Sequence, residues 1–390
     1  MTRRRLIALA VVLLLFVVGV WVVTPFERAA SFIVRAADLG GVPQRLANLQ
    51  AHRVERQPRH LVPTRHGDVA AQFYVPEGGA TRAVLLIPGI HSMGIEEPRL
   101  TALAEDLAAT GLHVMAMALP DLQRYRITLN APDVIEDAVA WMAARPDLAP
   151  DGKVGIAGIS FAGGMSVSAA GRPGIRDKLA FVFSFGGHAD LPRVLRYLAT
   201  GQATKMAGLD IPPPHDYGVA VILYQFADRG VVPPEQVDAL RQGVETFLLA
   251  SQLTLVSMDQ ANATFAKARE MAQALPEPSR TYMNYVNDRA VTKLGPVLLP
   301  FLDQAGVDDP SLSPQRAPDA PAAPVYLLHG DGDTVIPTSE SVVLADHLRQ
   351  KGASVHVLLS GLITHAEVDR SAAASETWKL IGFWAGVLRQ

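Results

Sequence analysis

The chain of 390 residues contains no cysteine. That absence excludes disulfides, thiolate zinc sites and a cysteine nucleophile together. Charge is also sparse. Charged residues make up 19% of the chain, and 35 basic side chains against 38 acidic ones leave a net charge of -3. A nucleic-acid-binding face would need a basic surplus, so nucleic acid is not expected as the main partner. No glycine loop has the P-loop pattern, and no histidine-carboxylate cluster has zinc spacing. Neither a metal nor a cofactor is expected. There is no internal repeat and no polar low-complexity tract.

Apolar residues are plentiful at 49%, enough for one large domain with additions. The longest apolar run is N-terminal. Arg3-Arg4-Arg5 precede an uncharged stretch from Leu6 to Val23, with Trp21 near its far end. A helix of about 20 apolar residues spans a bilayer, and aromatic rings favour its interfaces. A cleaved signal peptide would have an apolar core of roughly 7–15 residues and end in a small-residue site. Val22-Val23-Thr24-Pro25-Phe26 offers no such site. Residues 1–23 are therefore expected to be an uncleaved, single-pass transmembrane signal anchor. The positive-inside rule then puts the rest of the chain on the non-cytoplasmic side, although Arg28, Arg35 and Arg45 lie on the other flank.

Residues 24–66 are expected as a connector. Its helical stretch Ala29–Ala37 would lie on the membrane surface or pack on the globular domain. After an early strand at Val69–Val75, strands at 83–87, 113–118, 153–157 and 180–185 alternate with helices at 98–109, 132–144 and 162–170. That alternation predicts an α/β fold with a mostly parallel sheet and helices on both faces. The pattern stops after Gly186-Gly187-His188. Residues 191–314 read as a helical insertion, with helices expected at 193–198, 236–249, 253–275 and 280–291. The apolar run Val219–Phe226 lines a pocket or is core. Strands return at Val325–Gly330 and Val355–Leu359. The sheet-bearing parts are thus 67–190 and 315–390.

Chemistry concentrates at Gly158-Ile159-Ser160-Phe161-Ala162. A serine between small residues at a strand-to-helix junction has the layout of a nucleophile elbow. The following helix favours a developing negative charge beside the hydroxyl. A serine also needs a base and an orienting acid. Both follow later, each just past a strand. One is the acid loop in His329-Gly330-Asp331-Gly332-Asp333-Thr334-Val335-Ile336-Pro337, and the other is His365 after Val355–Leu359.

In these residues the chain resembles the α/β-hydrolase superfamily, and more loosely its dienelactone-hydrolase and serine-peptidase-like branch. The likeness runs from about Arg65 to the C-terminus. It implies an α/β-hydrolase fold in which the 191–314 insertion is a cap, with Ser160, Asp333 and His365 as catalytic triad. Asp333 is the fifth residue of the family's acid motif, and Asp331 then stabilises the turn. The oxyanion-hole donors would be the backbone N–H groups of Phe161 and Ile90. One departure lies there: Pro88-Gly89 stands where the family usually has His-Gly. The resemblance implies a small-molecule acyl substrate. It leaves open an acyltransferase or peptidase with the same triad, and a non-catalytic relative that only binds. His188, after the sixth strand, is a candidate substrate contact or a loop histidine bonded to backbone. Oligomeric state is not legible.

Overall fold

The computed structural model describes residues 23–80, 82–302, 309–361 and 374–390. Nine strands form one sheet: β1 (Val54–Arg56), β2 (His60–Thr64), β3 (Gly67–Pro76), β4 (Arg82–Ile87), β5 (Leu112–Met117), β6 (Val154–Ile159), β7 (Leu179–Phe185), β8 (Val325–Gly330) and β9 (Val355–Ser360). Their order is β1-β3-β5-β4-β6-β7-β8-β9, with β2 paired to β3. β1, β2 and β5 run antiparallel to β3, and every pairing from β5 to β9 is parallel. This is the mostly parallel sheet that strand-helix alternation implies.

Side-chain alternation along the strands separates two cores. In β4, Ala83, Leu85 and Ile87 join a cluster with Val134, Ile135 and Val139 of the helix Asn130–Ala143. Val84 and Leu86 face the other way, toward Leu100 and Leu107 of the helix Pro98–Ala108 and toward Phe32, Leu380 and Trp384. The period of two in the strand delivers alternate residues to helices on both faces. Burying each such side chain stabilises the fold by about 1.5–3 kcal/mol.

The expected connector carries regular structure. Residues 23–36 are helical, the helix Gly41–Gln50 follows, and β1 and β2 then add to the sheet. Phe32 packs on Trp384 with ring centroids 4.5 Å apart. Among the described residues no helix is long and apolar enough to cross a membrane. The expected anchor, Leu6 to Val23, lies outside them apart from Val23.

The stretch between β7 and β8 carries the helices Leu191–Thr200, Tyr217–Phe226, Val237–Leu253, Met258–Ala274, Ser279–Asn287 and Val291–Leu302. One boundary differs from the sequence reading. The helix expected from 253 begins only at Met258, where the Ser257 hydroxyl caps it by accepting from the Gln260 N–H, and the preceding helix runs on to Leu253 instead of ending at 249. The run Val219–Phe226, read as pocket lining or core, is a buried helix whose polar member Gln225 is half-buried.

Both ends of the insertion meet. The Leu191 N–H donates to the Ser313 hydroxyl at 2.9 Å, and the Gln315 N–H donates to the Ala189 carbonyl at 3.0 Å. Three tethers then fix it over one sheet edge. Gln252 Oε1 accepts from Ser92 Oγ at 2.7 Å and from the Tyr125 hydroxyl at 3.2 Å. The Gln225 amide exchanges two hydrogen bonds of 3.0 Å with the Ile127 backbone. The His215 N–H donates to the Thr334 carbonyl at 2.7 Å. Ser92, Tyr125–Ile127 and Thr334 follow β4, β5 and β8, so the insertion covers the C-terminal edge of the parallel strands.

One internal pin of the insertion depends on pH. Burial pushes the Asp216 carboxyl up, but the His215 hydrogen bond and the Arg289 guanidinium at 2.6 Å outweigh it and hold the pKa down to about 2. A carboxyl lowered on folding contributes stability above its unfolded value, lost as pH falls toward the folded one. The insertion should therefore loosen as pH falls from about 4 to about 2. Comparison of acid melting curves checks this: Asp216→Asn should be the less stable chain at pH 6 and the difference should vanish near pH 2. A difference that persists at pH 2 would show the contribution is not ionic.

Candidate active site

β6 ends at Ile159, and the helix Phe161–Ala170 begins immediately after Ser160. The single residue between them must reverse the chain. Ser160 does so at φ 56°, ψ -130°. Positive φ in a non-glycine residue costs on the order of 1–3 kcal/mol and persists only where surroundings enforce it. Here the Ser160 N–H donates to the Phe185 carbonyl at 2.7 Å and its carbonyl accepts from Gly163 at 2.8 Å. The hydroxyl makes no capping bond to its own helix. Ser160 is 7% exposed.

Small neighbours are a steric requirement of this turn. A Cβ on Gly158 would lie 2.6 Å from the Ala162 carbonyl oxygen. A Cβ on Gly164 would collide with the His188 ring. The loop after β4 comes equally close. A Cβ on Gly89 would stand 2.9 Å from Ser160 Cβ and 3.5 Å from its Oγ. Gly89 is thus the glycine that lets the Pro88-Gly89-Ile90 loop reach the serine. Gly89→Ala should lower the melting temperature, because the methyl would press on Ser160 Cβ and the Ile159 carbonyl, and should lower kcat about 100-fold by shifting the serine or the loop by a fraction of an ångström. Unchanged kcat in a steady-state assay would show that the loop has room to spare.

Asp333 sits past β8, two strands from β6 and at the same edge. It is 1% exposed. Its Oδ1 accepts from the backbone N–H groups of Val335 at 2.8 Å and Ile336 at 3.0 Å. Such bonds favour the ionised carboxylate and fix its plane. Its Oδ2 lies 3.3 Å from His329 Nε2, which also donates to the Ile336 carbonyl at 2.8 Å. The other His329 nitrogen, Nδ1, accepts from the Ser341 hydroxyl at 2.7 Å. His329 thus braces the acid loop from within the protein. Asp331 is more exposed than Asp333, and its backbone N–H bonds the Ser360 carbonyl at the end of β9. β9 ends level with β8, Ser360 pairing with Gly330. His365 lies outside the described residues.

Of the two expected oxyanion donors, Phe161 opens the elbow helix, where the first N–H groups have no partner within the helix. Ile90 follows Gly89 and is half-buried. Next in the chain, burial pushes the His91 imidazole pKa down, and its Nδ1 accepts from the Met93 N–H at 3.3 Å. It is held neutral within its own turn.

The structure gives His188 the backbone hydrogen bond that was the alternative to substrate contact. The side chain is fully buried, and its Nε2 donates to the Leu312 carbonyl at 2.7 Å. Its ring fills the space that Gly164 leaves and lies 5.8 Å from the Phe161 ring. His188 follows β7 at the sheet edge, but the chain turns the ring inward, where burial keeps it neutral.

Sequence reasoning missed three residues that shape this edge. Gln252 ties the insertion to the loop that follows Gly89. Tyr217 opens the helix Tyr217–Phe226, and burial first and the Asp333 charge second raise its phenol pKa, so it stays neutral. Glu340 is 1% exposed and accepts the N–H groups of Ala189 and Asp190 at 3.0 Å each, as well as the Arg193 guanidinium. Only Glu340 carried a signal, being a lone acid in a run of small and apolar residues after the acid loop. Among the described residues no group of histidines and carboxylates could hold a metal ion.

No protein-family model matches this chain, and no curated protein matches it. Solved structures do align with it at low identity. A hyperthermophilic esterase from the archaeon Pyrobaculum calidifontis is 15% identical over 93% of this chain and 90% of its own, with a TM-score of 0.49. An arylesterase is 13% identical over 94% and 98%, with a TM-score of 0.48. An acylaminoacyl peptidase from Pyrococcus horikoshii is 11% identical over 87% of this chain but 42% of its own, with a TM-score of 0.47.

Proposed function

We propose that this chain is a membrane-anchored serine hydrolase that cleaves an ester or related acyl bond through Ser160, His365 and Asp333. One observation carries most of the weight: the positive φ of Ser160 at a strand-to-helix turn, with its hydroxyl excused from capping. A protein has no structural reason to hold a serine in that conformation, since glycine would do so without strain. Asp333, buried and held by two backbone N–H groups at the same sheet edge, is consistent with the orienting acid.

In this reading Ser160 Oγ attacks the acyl carbonyl while His365 takes its proton. The N–H groups of Phe161 and Ile90 receive the oxyanion, each such donor contributing roughly 3 kcal/mol in the transition state. The N-terminal end of the elbow helix adds its positive partial charge. His365 then protonates the leaving group, and Asp333 stabilises the imidazolium that forms. Water repeats the sequence and releases the acyl group. The insertion over this edge excludes bulk water and supplies apolar walls.

A fluorophosphonate probe tests the activity, because it reacts with an activated serine and not an inert one. Labelling should be rapid and confined to Ser160, with hydrolysis of acyl esters in parallel. An intact chain that resists the probe and cleaves no ester in a graded series would leave only a binding role.

A further inference from the structure

Large apolar side chains are left bare in a cluster at the N-terminal helices. Val42, Leu46 and Leu49 are 64%, 58% and 83% exposed on the helix Gly41–Gln50. Their spacing puts them on one helix face. Leu39, just ahead of that helix, is also exposed, as are Val23 and Phe26 at the start of the helical stretch 23–36. The helix is seated by its other side, where Ala47 is buried and its carbonyl accepts from Ser31 Oγ at 2.9 Å. Single surface leucines are ordinary. A helix that turns its whole apolar stripe outward marks an interaction surface.

Position in the fold identifies the partner. The Arg28 guanidinium donates to the Thr110 carbonyl, and the His52 N–H donates to the Ala109 carbonyl at 2.9 Å. Both acceptors lie in the turn that leads into β5. Arg389 lies over the Phe26 ring, and the neighbouring Gln390 carbonyl accepts from Arg82 at the start of β4. The N-terminal helices therefore occupy the edge where the parallel strands begin, opposite Ser160. The apolar run of the sequence, Leu6 to Val23, leads into the described helical stretch at that same edge.

We infer that the face formed by Val42, Leu46 and Leu49 lies in the surface of the lipid bilayer, as a second attachment beside the N-terminal run. This rests on the anchor reading and is independent of the triad. A chain tethered at Val23 brings this face to the headgroup level at no cost in reach. Exposed Arg45 and Arg53 flank it, and their stems can lie along apolar surface while the charge meets anionic headgroups. The consequence concerns substrate. With the docked face at one sheet edge and Ser160 at the other, the site opens away from the membrane. It takes water-soluble acyl compounds from the aqueous phase and not lipid from the bilayer.

The lack of cysteine makes the test direct. Leu46→Cys, Leu49→Cys and, on the insertion, Lys267→Cys each carry one bimane probe in the full chain, reconstituted into phosphatidylcholine–phosphatidylglycerol vesicles with or without nitroxide-bearing lipid. Probes at 46 and 49 should lose most of their fluorescence to the nitroxide lipid, from a depth of about 5–10 Å, while the probe at 267 loses none. No quenching at 46 and 49, or equal quenching at all three, overturns the inference. A blue-shifted but unquenched probe at 46 or 49 means that protein covers the face, and overturns it as well. Flotation of the same vesicles separates the two readings. A floating chain with unquenched probes retains the anchor and loses the lipid face, whereas a chain that does not float loses both.

Discussion

Ser160→Ala loses fluorophosphonate labelling altogether and hydrolysis by roughly 10⁴–10⁶-fold. In the proposed mechanism the hydroxyl forms the acyl bond, so no neighbour can substitute for it. Adding Asp333→Ala to that variant then changes little, because members of a triad act as a unit. By itself Asp333→Asn lowers kcat by about 10⁴-fold, since an amide cannot stabilise the imidazolium and favours the wrong tautomer. Stability moves independently of activity. Ser160→Ala keeps the φ of 56° and melts no higher than the parent. Ser160→Gly removes that strain and should be more stable by about 1 kcal/mol. Rates followed by ester hydrolysis and melting followed by circular dichroism supply both readings. Retained labelling in Ser160→Ala would place the nucleophile elsewhere, and equal melting of the alanine and glycine variants would mean the turn is not strained.

The parallel core was legible because its strands are buried on both faces. Val84-Leu85-Leu86-Ile87 and Val325-Tyr326-Leu327-Leu328 read as unbroken apolar runs, and short runs of that kind between helical patterns fit strands covered by helices on both sides. β1 and β2 were illegible for the opposite reason. Val54-Glu55-Arg56 is a short, largely exposed piece whose only signature is its pairing with β3. The helix Tyr217–Phe226 was ambiguous because it is apolar nearly throughout and has little periodicity to reveal. The later helix start at Met258 could have been found, since Ser257 followed three residues later by Gln260 has the capping-box pattern. At the site, Ser160 stood out because its turn demands small neighbours at fixed spacing, and Asp333 through the resemblance of its loop to the α/β-hydrolase acid motif. His188 stayed ambiguous because position after a strand gives the edge but not the direction of the side chain. Gln252 lies 160 positions from its partner Ser92, and no local pattern encodes such a pairing.

Glu340→Ala should destabilise the chain by about 3–5 kcal/mol, the cost of leaving a buried charge without its partner. Glu340 sits in the first turn of the helix Ser339–Gln350, directly behind the acid loop. Its carboxylate joins three parts of the chain. It accepts the N–H groups of Ala189 and Asp190 at 3.0 Å, where β7 hands over to the insertion. It accepts Arg193 Nε at 2.5 Å and Nη2 at 2.9 Å. Arg193 in turn donates to Gln315 Oε1 at 3.1 Å, and Arg316 donates to Asp190 Oδ2 at 2.5 Å, where the chain returns from the insertion. Removing the carboxylate leaves two buried N–H groups without an acceptor and Arg193 without a counter-charge. Glu340→Gln keeps the shape and one acceptor oxygen, so it should cost less, about 1–2 kcal/mol. Pairing Glu340→Ala with Arg193→Met should cost less than the sum of the two single changes, because the second change removes the stranded charge. Urea unfolding of the four chains gives the coupling. If it comes out near zero, the Glu340–Arg193 pair does not hold the insertion, which then rests on its other hydrogen bonds and its apolar contacts. A positive coupling should also appear in catalysis. Glu340 braces the junction where insertion and acid loop meet, so Glu340→Gln should raise KM, by letting the insertion shift over Ser160, while fluorophosphonate labelling persists.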